Sequence, residues 1–234
     1  MITTISLMHK EGNILLSYPR SGNSWIRYCV EAITKKPTYG YTKSKAPLEN
    51  PIGSNIPTLG VDLKVDPILL KRHETFSTKR VDKLILVIRN YKEVIVRHHE
   101  GTKITLATLQ RSCSSNKTSR NYVDVIRYFD DFKGEKLLVY YEDFITDVEC
   151  ELRKIAEFLG EGVDNIDEFV NKLDGHKKKS LTLYRPSITK GKNVIHHSNK
   201  LTKGLKSSWD KFLRNKCGDL FEKYLIRYEE KKGD

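Results

Sequence analysis

The stretch Leu15–Trp25, which reads LLSYPRSGNSW, decides how the rest of the chain is interpreted. The apolar residues before the loop predict a strand, and a helical pattern begins near Ser24. A loop between a strand and a helix N-terminus binds anions, because its N–H groups point inward and the helix dipole adds about half a positive charge. Gly22 permits close approach of a ligand to the backbone. Ser21 and Ser24 supply hydroxyl groups and Arg20 a fixed charge, so the sequence predicts a phosphate or sulfate site.

The composition is that of a soluble globular protein. The 234 residues are 38% hydrophobic and 31% charged, and we expect a single domain over residues 1–234. No apolar stretch approaches the length of a membrane span, and His9, Lys10 and Glu11 stand where a signal peptide needs apolar residues. The four cysteines are widely spaced, which indicates free thiols. We therefore expect a cytoplasmic protein.

The net charge of +12 indicates an anionic ligand. Lysines are concentrated between Lys177 and Lys206, and this concentration has three interpretations: a solvated surface, a basic lid over a polyanionic cosubstrate, or a nucleic-acid-binding arm. No zinc-finger spacing or RNA-recognition signature supports the third, so we expect no nucleic-acid partner. The pairs His98-His99 and His196-His197 have no cysteine or carboxylate cluster beside them, so we expect no metal.

Short apolar runs alternate with helical periodicity, which predicts an α/β fold of three layers, a central parallel sheet flanked by helices. The predicted strands are Ile14–Ser17, Ile68–Lys71, Leu84–Arg89 and Leu137–Tyr141. The predicted helices are Trp25–Thr34, Lys92–Glu100, Tyr122–Phe132, Val148–Leu159, Ile166–Leu173 and Trp209–Tyr228. The proline-containing stretch Lys35–Leu63 and the polar stretch Ser180–Ser208 are predicted to be irregular.

The loop Tyr18–Trp25 lacks the Gly-Lys-Ser/Thr ending of a Walker P-loop. It resembles the P-loop-like 5′-phosphosulfate loop of sulfotransferases that use 3′-phosphoadenosine 5′-phosphosulfate (PAPS), where the usual string is Tyr-Pro-Lys-Ser-Gly-Thr-Thr-Trp. This resemblance implies PAPS as cosubstrate, 3′-phosphoadenosine 5′-phosphate (PAP) as product, a hydroxyl-bearing acceptor and no metal. It also implies that the nucleotide is contacted by Arg20, Ser21, Gly22, Asn23, Ser24 and Trp25, the last by stacking on adenine.

A second segment, Leu70–Glu74, closes a predicted strand. Lys71 and His73 match the Lys-x-His of cytosolic sulfotransferases, and the resemblance implies that His73 is the general base and that Lys71 contacts the sulfuryl group. Without the resemblance, a histidine after a strand is more often structural. Protein-tyrosine sulfotransferases share the Pro-Arg-Ser-Gly loop and use a glutamate as base, so Glu74 is the rival to His73.

The remaining segments concern the nucleotide. From its position alone, Arg89 could cap a helix or pair with an acid. It resembles the first residue of the family's Arg-Asn-Pro-x-Asp segment, which binds the 3′-phosphate, and a planar guanidinium suits a phosphate. The family has a serine eight residues later, where this chain has Arg97; either Arg97 contacts the same phosphate or the contact comes from elsewhere. Tyr141 matches an adenine-pocket tyrosine. Lys190 and Gly191 are the nearest match to the family's last nucleotide-binding segment.

Three functions compete. The first is a PAPS-dependent sulfotransferase with His73, Lys71 and Arg20 as catalytic residues. Arg20 replaces the family's lysine; it stabilises negative charge but is a poor proton donor. The second is a catalytically impaired PAPS- or PAP-binding protein, which Arg20 and Arg97 motivate. The third is a basic nucleic-acid-binding protein, which the net charge alone motivates.

Overall fold

The computed structural model describes residues 12–40, 66–75, 81–114, 121–184 and 197–230. In these ranges the strands are β1 (Gly12–Ser17), β2 (Thr38–Gly40), β3 (Leu69–Arg72), β4 (Val81–Ile88) and β5 (Glu135–Tyr140). They form one sheet in the order β2-β3-β1-β4-β5, and every neighbouring pair is parallel. β1 is therefore central, with β3 on one side and β4 on the other. The carboxyl ends of these three strands meet at the place where ligands bind in open α/β sheets.

Ten α-helices are found in the described ranges. They are α1 (Asn23–Thr34), α2 (Tyr91–His98), α3 (Leu106–Ser112), α4 (Tyr122–Asp131), α5 (Tyr141–Thr146), α6 (Val148–Leu159), α7 (Ile166–Asn171), α8 (Leu173–Tyr184), α9 (Lys203–Cys217) and α10 (Asp219–Tyr224). Two 3₁₀ helices cover His197–Lys200 and Ile226–Tyr228, and the first is called the 197–200 turn below. None of these described helices is long and apolar enough to cross a membrane.

The sheet separates two apolar cores. Alternate residues of β1 point to opposite faces, so Leu15 packs with α1, α6 and α7, whereas Ile14 and Leu16 pack with α2, α3, α4, α9 and α10. Burial of each large apolar side chain contributes about 1.5–3 kcal/mol, and both faces of the sheet are covered. This confirms the predicted three-layer fold with a central parallel sheet.

The predicted elements differ from the structure in several places. β2, α3, α5 and α8 were not predicted. β2 has three residues and lies in the stretch Lys35–Leu63, which was predicted to be irregular. α5 begins at Tyr141, which was predicted to end a strand, and the predicted helix Ile166–Leu173 ends at Asn171. The predicted helix over Trp209–Tyr228 is broken after Cys217, because Gly218 adopts φ 58°. The predicted irregular stretch Ser180–Ser208 is wrong at both ends, since α8 continues to Tyr184 and α9 begins at Lys203.

A buried polar network attaches the edge strand β2 to α1. Arg27 donates from Nε to the Thr38 hydroxyl at 2.8 Å and from Nη2 to the Thr38 carbonyl at 2.8 Å. Glu31 accepts from the Thr38 N–H at 2.8 Å. Burial raises the pKa of Glu31 to about 7, although Thr38 and Arg27 act against this rise. These contacts fix α1, whose N-terminus follows the anion-binding loop.

A second buried network attaches the C-terminal helices to α2. Lys92 is 1% exposed, and its Nζ lies 2.7 Å from Asp210 Oδ1 and donates to the Tyr228 carbonyl at 2.7 Å. The Tyr91 hydroxyl donates to the same Asp210 oxygen. Removing one partner would leave a buried charge uncompensated, which is strongly destabilising. These contacts therefore hold α2 firmly against the C-terminal part of the chain.

Candidate functional site

The loop between β1 and α1 has the backbone geometry of an anion site. Arg20 and Gly22 both adopt left-handed conformations, with φ 71° and φ 91°. The first hydrogen bonds of α1 are donated by Trp25 and Ile26 to the Gly22 carbonyl, at 2.9 Å and 3.2 Å. The N–H groups of the residues before Trp25 therefore have no intrahelical partner. Together with the helix dipole, these donors favour a negatively charged ligand at the loop.

Gly22 is required here by close packing as well as by its positive φ. A Cβ at this position would lie 2.0 Å from the ring of Tyr141, the first residue of α5. On that ring lies the Arg89 guanidinium, with Cζ 4.4 Å from the ring centroid. The structure thus brings together Gly22, Tyr141 and Arg89, which belong to three separate segments and were each predicted as site residues.

Two side chains of the loop carry buried polar atoms without partners. The hydroxyl of Ser21, which is 1% exposed, has no hydrogen-bond partner among the described residues, and neither has Asn23 Oδ1. Buried polar groups are nearly always paired, so the orphaned Ser21 hydroxyl fits a site that receives a ligand oxygen. The Asn23 amide is oriented by its Nδ2, which donates to Ser17 Oγ at 3.1 Å and to the Leu15 carbonyl at 3.4 Å.

Three guanidinium groups, here called the arginine cluster, lie near this loop: Arg20, Arg89 and Arg97. Arg89 Nη1 approaches the Arg20 carbonyl at 3.4 Å. Arg97 lies on α2, and its pKa is lowered by burial and by the charges of Arg89 and Arg20, against opposing effects of Tyr141 and Glu93. Like charges gathered in a half-buried region repel one another and attract an anion.

His73, just beyond β3, lies against the end of β1. The register pairs Leu16 with Arg72, which places His73 beside Ser17. His73 Nδ1 is 2.7 Å from the Ser17 carbonyl oxygen and 3.3 Å from its Oγ. A carbonyl oxygen can only accept, so we assign the proton to Nδ1, and Nε2 keeps its lone pair. This tautomer is the one that a general base needs.

Lys71 lies on the same side of the sheet as Ser17. It pairs with Leu15 in register, and alternation puts Arg72 on the opposite face, with Leu16. All four residues Lys71–Glu74 are half-buried. Lys71 in β3 and His73 just beyond it, two residues apart, thus lie toward the end of β1.

Trp25 belongs to a group of aromatic side chains on the side of the sheet that α1 covers. Its ring stacks on Tyr28 with a centroid distance of 5.5 Å and an angle of 15°, and Phe169 of α7 lies 6.4 Å away. The Tyr28 hydroxyl is 2.9 Å from Nδ1 of His176 on α8. Trp25 itself is half-buried. A partly open indole at the edge of such a group offers a flat face to a planar ligand.

Some predicted residues lie outside the described ranges, and some contacts were missed. Lys190, Gly191 and His196 fall in the span 185–196, which the structure does not describe. Within the described ranges no group of three or more histidine, cysteine or carboxylate side chains forms a metal site. Sequence reasoning missed Ser17, whose position as the last residue of a buried strand was the available signal. It also missed Glu93, which lies between Arg89 and Arg97.

These observations define a class first: a parallel α/β domain with an anion-binding loop at the centre of its sheet, suited to nucleotides or related anions. The chain belongs to the sulfotransferase family, because the family model described as Sulfotransferase domain matches residues 11–231. This match confirms the sulfotransferase family that the sequence predicted.

The chain is similar to several curated proteins. The fly proteins WSCD family member GA21586 (Drosophila pseudoobscura pseudoobscura) and CG9164 (Drosophila melanogaster) are 29% and 28% identical to this chain over 64% and 62% of it. The chain spans about half of their length, 51% and 49%. Sulfotransferase 1 family member D1 of Rattus norvegicus is 28% identical, with 93% of this chain and 84% of that protein covered.

Two crystal structures show the same fold. Mouse sulfotransferase SULT7A1 complexed with PAP has a TM-score of 0.62 at 18% identity and covers 94% of this chain and 90% of its own. Retinol dehydratase in a complex with retinol and PAP has a TM-score of 0.56 at 15% identity, covering 91% and 82%. At these identities the likeness establishes the fold.

Proposed function

We propose that the protein transfers the sulfuryl group of PAPS to a hydroxyl group of an acceptor and releases PAP. The observation that carries the proposal is the arrangement around β1. His73, in the tautomer of a base, follows β3 on one side, and Arg89 follows β4 on the other, with the anion-binding loop between them. A general base on one side of an anion-binding loop and an arginine on the other suit the transfer of a group from an anionic donor to an acceptor.

The nucleotide would be held by groups from several segments. Arg89 would bind the 3′-phosphate with two N–H groups, and Arg97 would contribute a further charge. The Ser21 hydroxyl and the N–H groups of Gly22, Asn23 and Ser24 would bind the 5′-phosphosulfate. Trp25 and Tyr141 would enclose the adenine. Lys190 and Gly191 enter the proposal through the resemblance alone.

The chemistry assigned to this chain is proton removal and charge stabilisation. His73 Nε2 would accept the proton of the acceptor hydroxyl as the new oxygen–sulfur bond forms. The bond between sulfur and the bridging phosphate oxygen breaks, and the departing 5′-phosphate takes its electron pair. Lys71 and Arg20 would stabilise the negative charge on the sulfuryl and phosphate oxygens. Arg20 does this as a fixed charge and does not donate a proton.

A nucleotide-binding protein without turnover is the second candidate. Arg20 favours it, because this residue occupies the loop position at which the related enzymes have lysine, and its side chain is exposed. A basic nucleic-acid-binding protein, suggested by the net charge of +12, is the third. For the first candidate, the enzyme, we further propose that the protein is cytoplasmic and that residues 1–234 form a single domain.

Two measurements separate the three candidates. Calorimetric titration with PAP, beside 5′-AMP and a duplex oligonucleotide, tests for the nucleotide site. Transfer of radiolabelled sulfate from PAPS to carbohydrates, phenols, steroids, lipids and tyrosine peptides tests for turnover. PAP binding with transfer supports the enzyme. PAP binding without transfer to any acceptor favours the second candidate, and oligonucleotide binding without PAP binding favours the third.

A further inference from the structure

A buried carboxylate on α2 holds the 197–200 turn. Glu93 is 6% exposed, and its Oε2 accepts from the His197 N–H at 2.9 Å. Its Oε1 accepts from the Ser198 N–H at 3.0 Å and from the Ser198 hydroxyl. Three donors on two consecutive residues therefore converge on one carboxylate. This attaches a short segment just before α9 to the helix that follows Arg89.

Glu93 also lies within the field of the arginine cluster. Arg89 precedes it by four residues and Arg97 follows it by four on α2. Burial alone would raise the pKa of Glu93, but the hydrogen bonds from Ser198 and His197 and the charge of Arg89 hold it below its ordinary value. The carboxylate is thus ionised, and both of its oxygens accept hydrogen bonds from the turn.

The turn packs on α2, and the charge of Arg97 acts on its first residue. His197 is 9% exposed, and its Nδ1 has no hydrogen-bond partner among the described residues. Burial lowers the pKa of His197, and the neighbouring charges of Arg97 and Lys200 lower it further. A neutral imidazole therefore packs near the Arg97 side. The turn therefore packs against α2, the helix that carries Arg97.

We propose that Glu93 is a positioning residue, which holds the 197–200 turn against α2 so that the arginine cluster stays arranged for an anionic nucleotide. The inference rests on the proposed function, since the anion it concerns is the 3′-phosphate of PAP. Holding the turn in place before binding removes an ordering cost from the binding step. By linkage, binding of the nucleotide and seating of the turn favour each other to the same extent.

The sign of one substitution separates this role from simple electrostatics. Glu93→Gln removes a negative charge beside two arginines, and Coulomb's law alone then predicts tighter binding of PAP. If Glu93 acts by positioning the turn, Glu93→Gln should instead weaken PAP binding. A glutamine has one acceptor oxygen where the carboxylate has two, and its NH₂ group would face a backbone N–H donor of the turn. The turn then detaches from α2 and the affinity falls.

The experiment compares Glu93→Gln, Ser198→Ala and Glu100→Gln by calorimetry with PAP, at a temperature where every variant is folded. Glu100 is the matched control, because it is an exposed carboxylate 4.0 Å from Lys200 Nζ and accepts no hydrogen bond from the turn's amides in the described contacts. We expect about tenfold weaker binding for Glu93→Gln, since hydrogen bonds to a charged group are lost. Ser198→Ala should weaken binding about threefold, and Glu100→Gln should leave it unchanged.

Hydrogen exchange of the His197 and Ser198 amides gives a second readout. Protection should fall in Glu93→Gln and stay in Glu100→Gln, with or without PAP. Unchanged or tighter PAP binding by both Glu93→Gln and Ser198→Ala would overturn the proposal, even if their Tm falls. Lack of PAP binding by the wild type would instead refute the proposed function. If Glu93→Gln does not fold, Ser198→Ala decides alone.

Discussion

At the carboxyl edge of the sheet, β4 and β3 end on either side of β1, and the residues just beyond these two strands are held differently. At the β4 end, Arg89 is 7% exposed, its carbonyl accepts from the Tyr122 hydroxyl at 2.8 Å, and its guanidinium lies on Tyr141. At the β3 end, His73 is half-buried and its ring is oriented by Ser17. The first is fixed by contacts from several elements, and the second by the neighbouring strand.

The difference in how Arg89 and His73 are held suits the two roles proposed for them, phosphate binding and proton transfer. A group that recognises a fixed phosphate gains from being held rigidly, because little ordering is left for the binding step. A general base must meet an acceptor that enters and leaves, so partial exposure of His73 suits it. If this division is right, substitutions at the β4 end should change nucleotide affinity, and those at the β3 end should change turnover.

The strongest test of the division is His73→Ala. We expect turnover to fall about 10²–10⁴-fold, because the proposed general base is lost, while PAP affinity stays nearly constant. Steady-state sulfate transfer and calorimetry with PAP provide the two numbers.

Glu74→Ala is the matched control for this prediction. It should change turnover little, since the contact with the end of β1 belongs to His73. A large loss of turnover in Glu74→Ala together with a small loss in His73→Ala would show that the base is Glu74, as the resemblance to protein-tyrosine sulfotransferases suggests.

Arg89→Ala tests the other end. PAP binding should weaken by about tenfold or more, because loss of charge-assisted hydrogen bonds costs about 1.5–3 kcal/mol. The loss should be small for 5′-AMP, which has no 3′-phosphate. Calorimetry with both nucleotides measures the contrast, and equal losses would show that Arg89 does not bind the 3′-phosphate.

The sheet and both strand ends were predictable from the sequence because buried parallel strands are continuous apolar runs. β4 contains Leu84–Ile88, and the polar residue after such a run lies at the ligand-binding edge of the sheet. β2 was missed because three residues carry no periodicity. α5 was missed because it begins at the residue that follows β5 without a break.

Contacts between distant segments could not be predicted. Glu93 and Ser198 are 105 residues apart, and nothing local marks either residue as the other's partner. Likewise, the side chain of Tyr141 reaches Gly22 only through the packing of α5 against the loop. Sequence spacing proposed residues for the site, whereas the electrostatics around them, such as the effect of two other arginines on Arg97, depends on the fold.

Arg97→Ser tests that crowding at the β4 side. PAP affinity should fall several-fold because one cation is lost, and the salt dependence of binding should become weaker. Without nucleotide, relief of repulsion should raise Tm, by roughly 2–4 °C for each kcal/mol of stability gained. Arg111→Ser is the control, since it removes an exposed arginine from α3 and changes the net charge equally. A lower Tm for Arg97→Ser than for the control would show that Arg97 stabilises the free protein.

Ser17→Ala should have a modest effect, and it tests the contact between the two ends. Ser17 Oγ accepts from Asn23 Nδ2 of the anion loop and lies 3.3 Å from His73 Nδ1, so it contacts both sides. The bond from His73 to the Ser17 carbonyl survives the substitution, and loss of about 1 kcal/mol of hydrogen bonding predicts a three- to tenfold fall in one parameter. We expect that parameter to be kcat, with PAP affinity unchanged, because the ring of His73 loses a neighbour that limits its rotation. A fall in PAP affinity with kcat intact would instead show that Ser17 supports the anion-binding loop. Of the two neighbouring strands, only β3 and the residues after it would then belong to the reactive end.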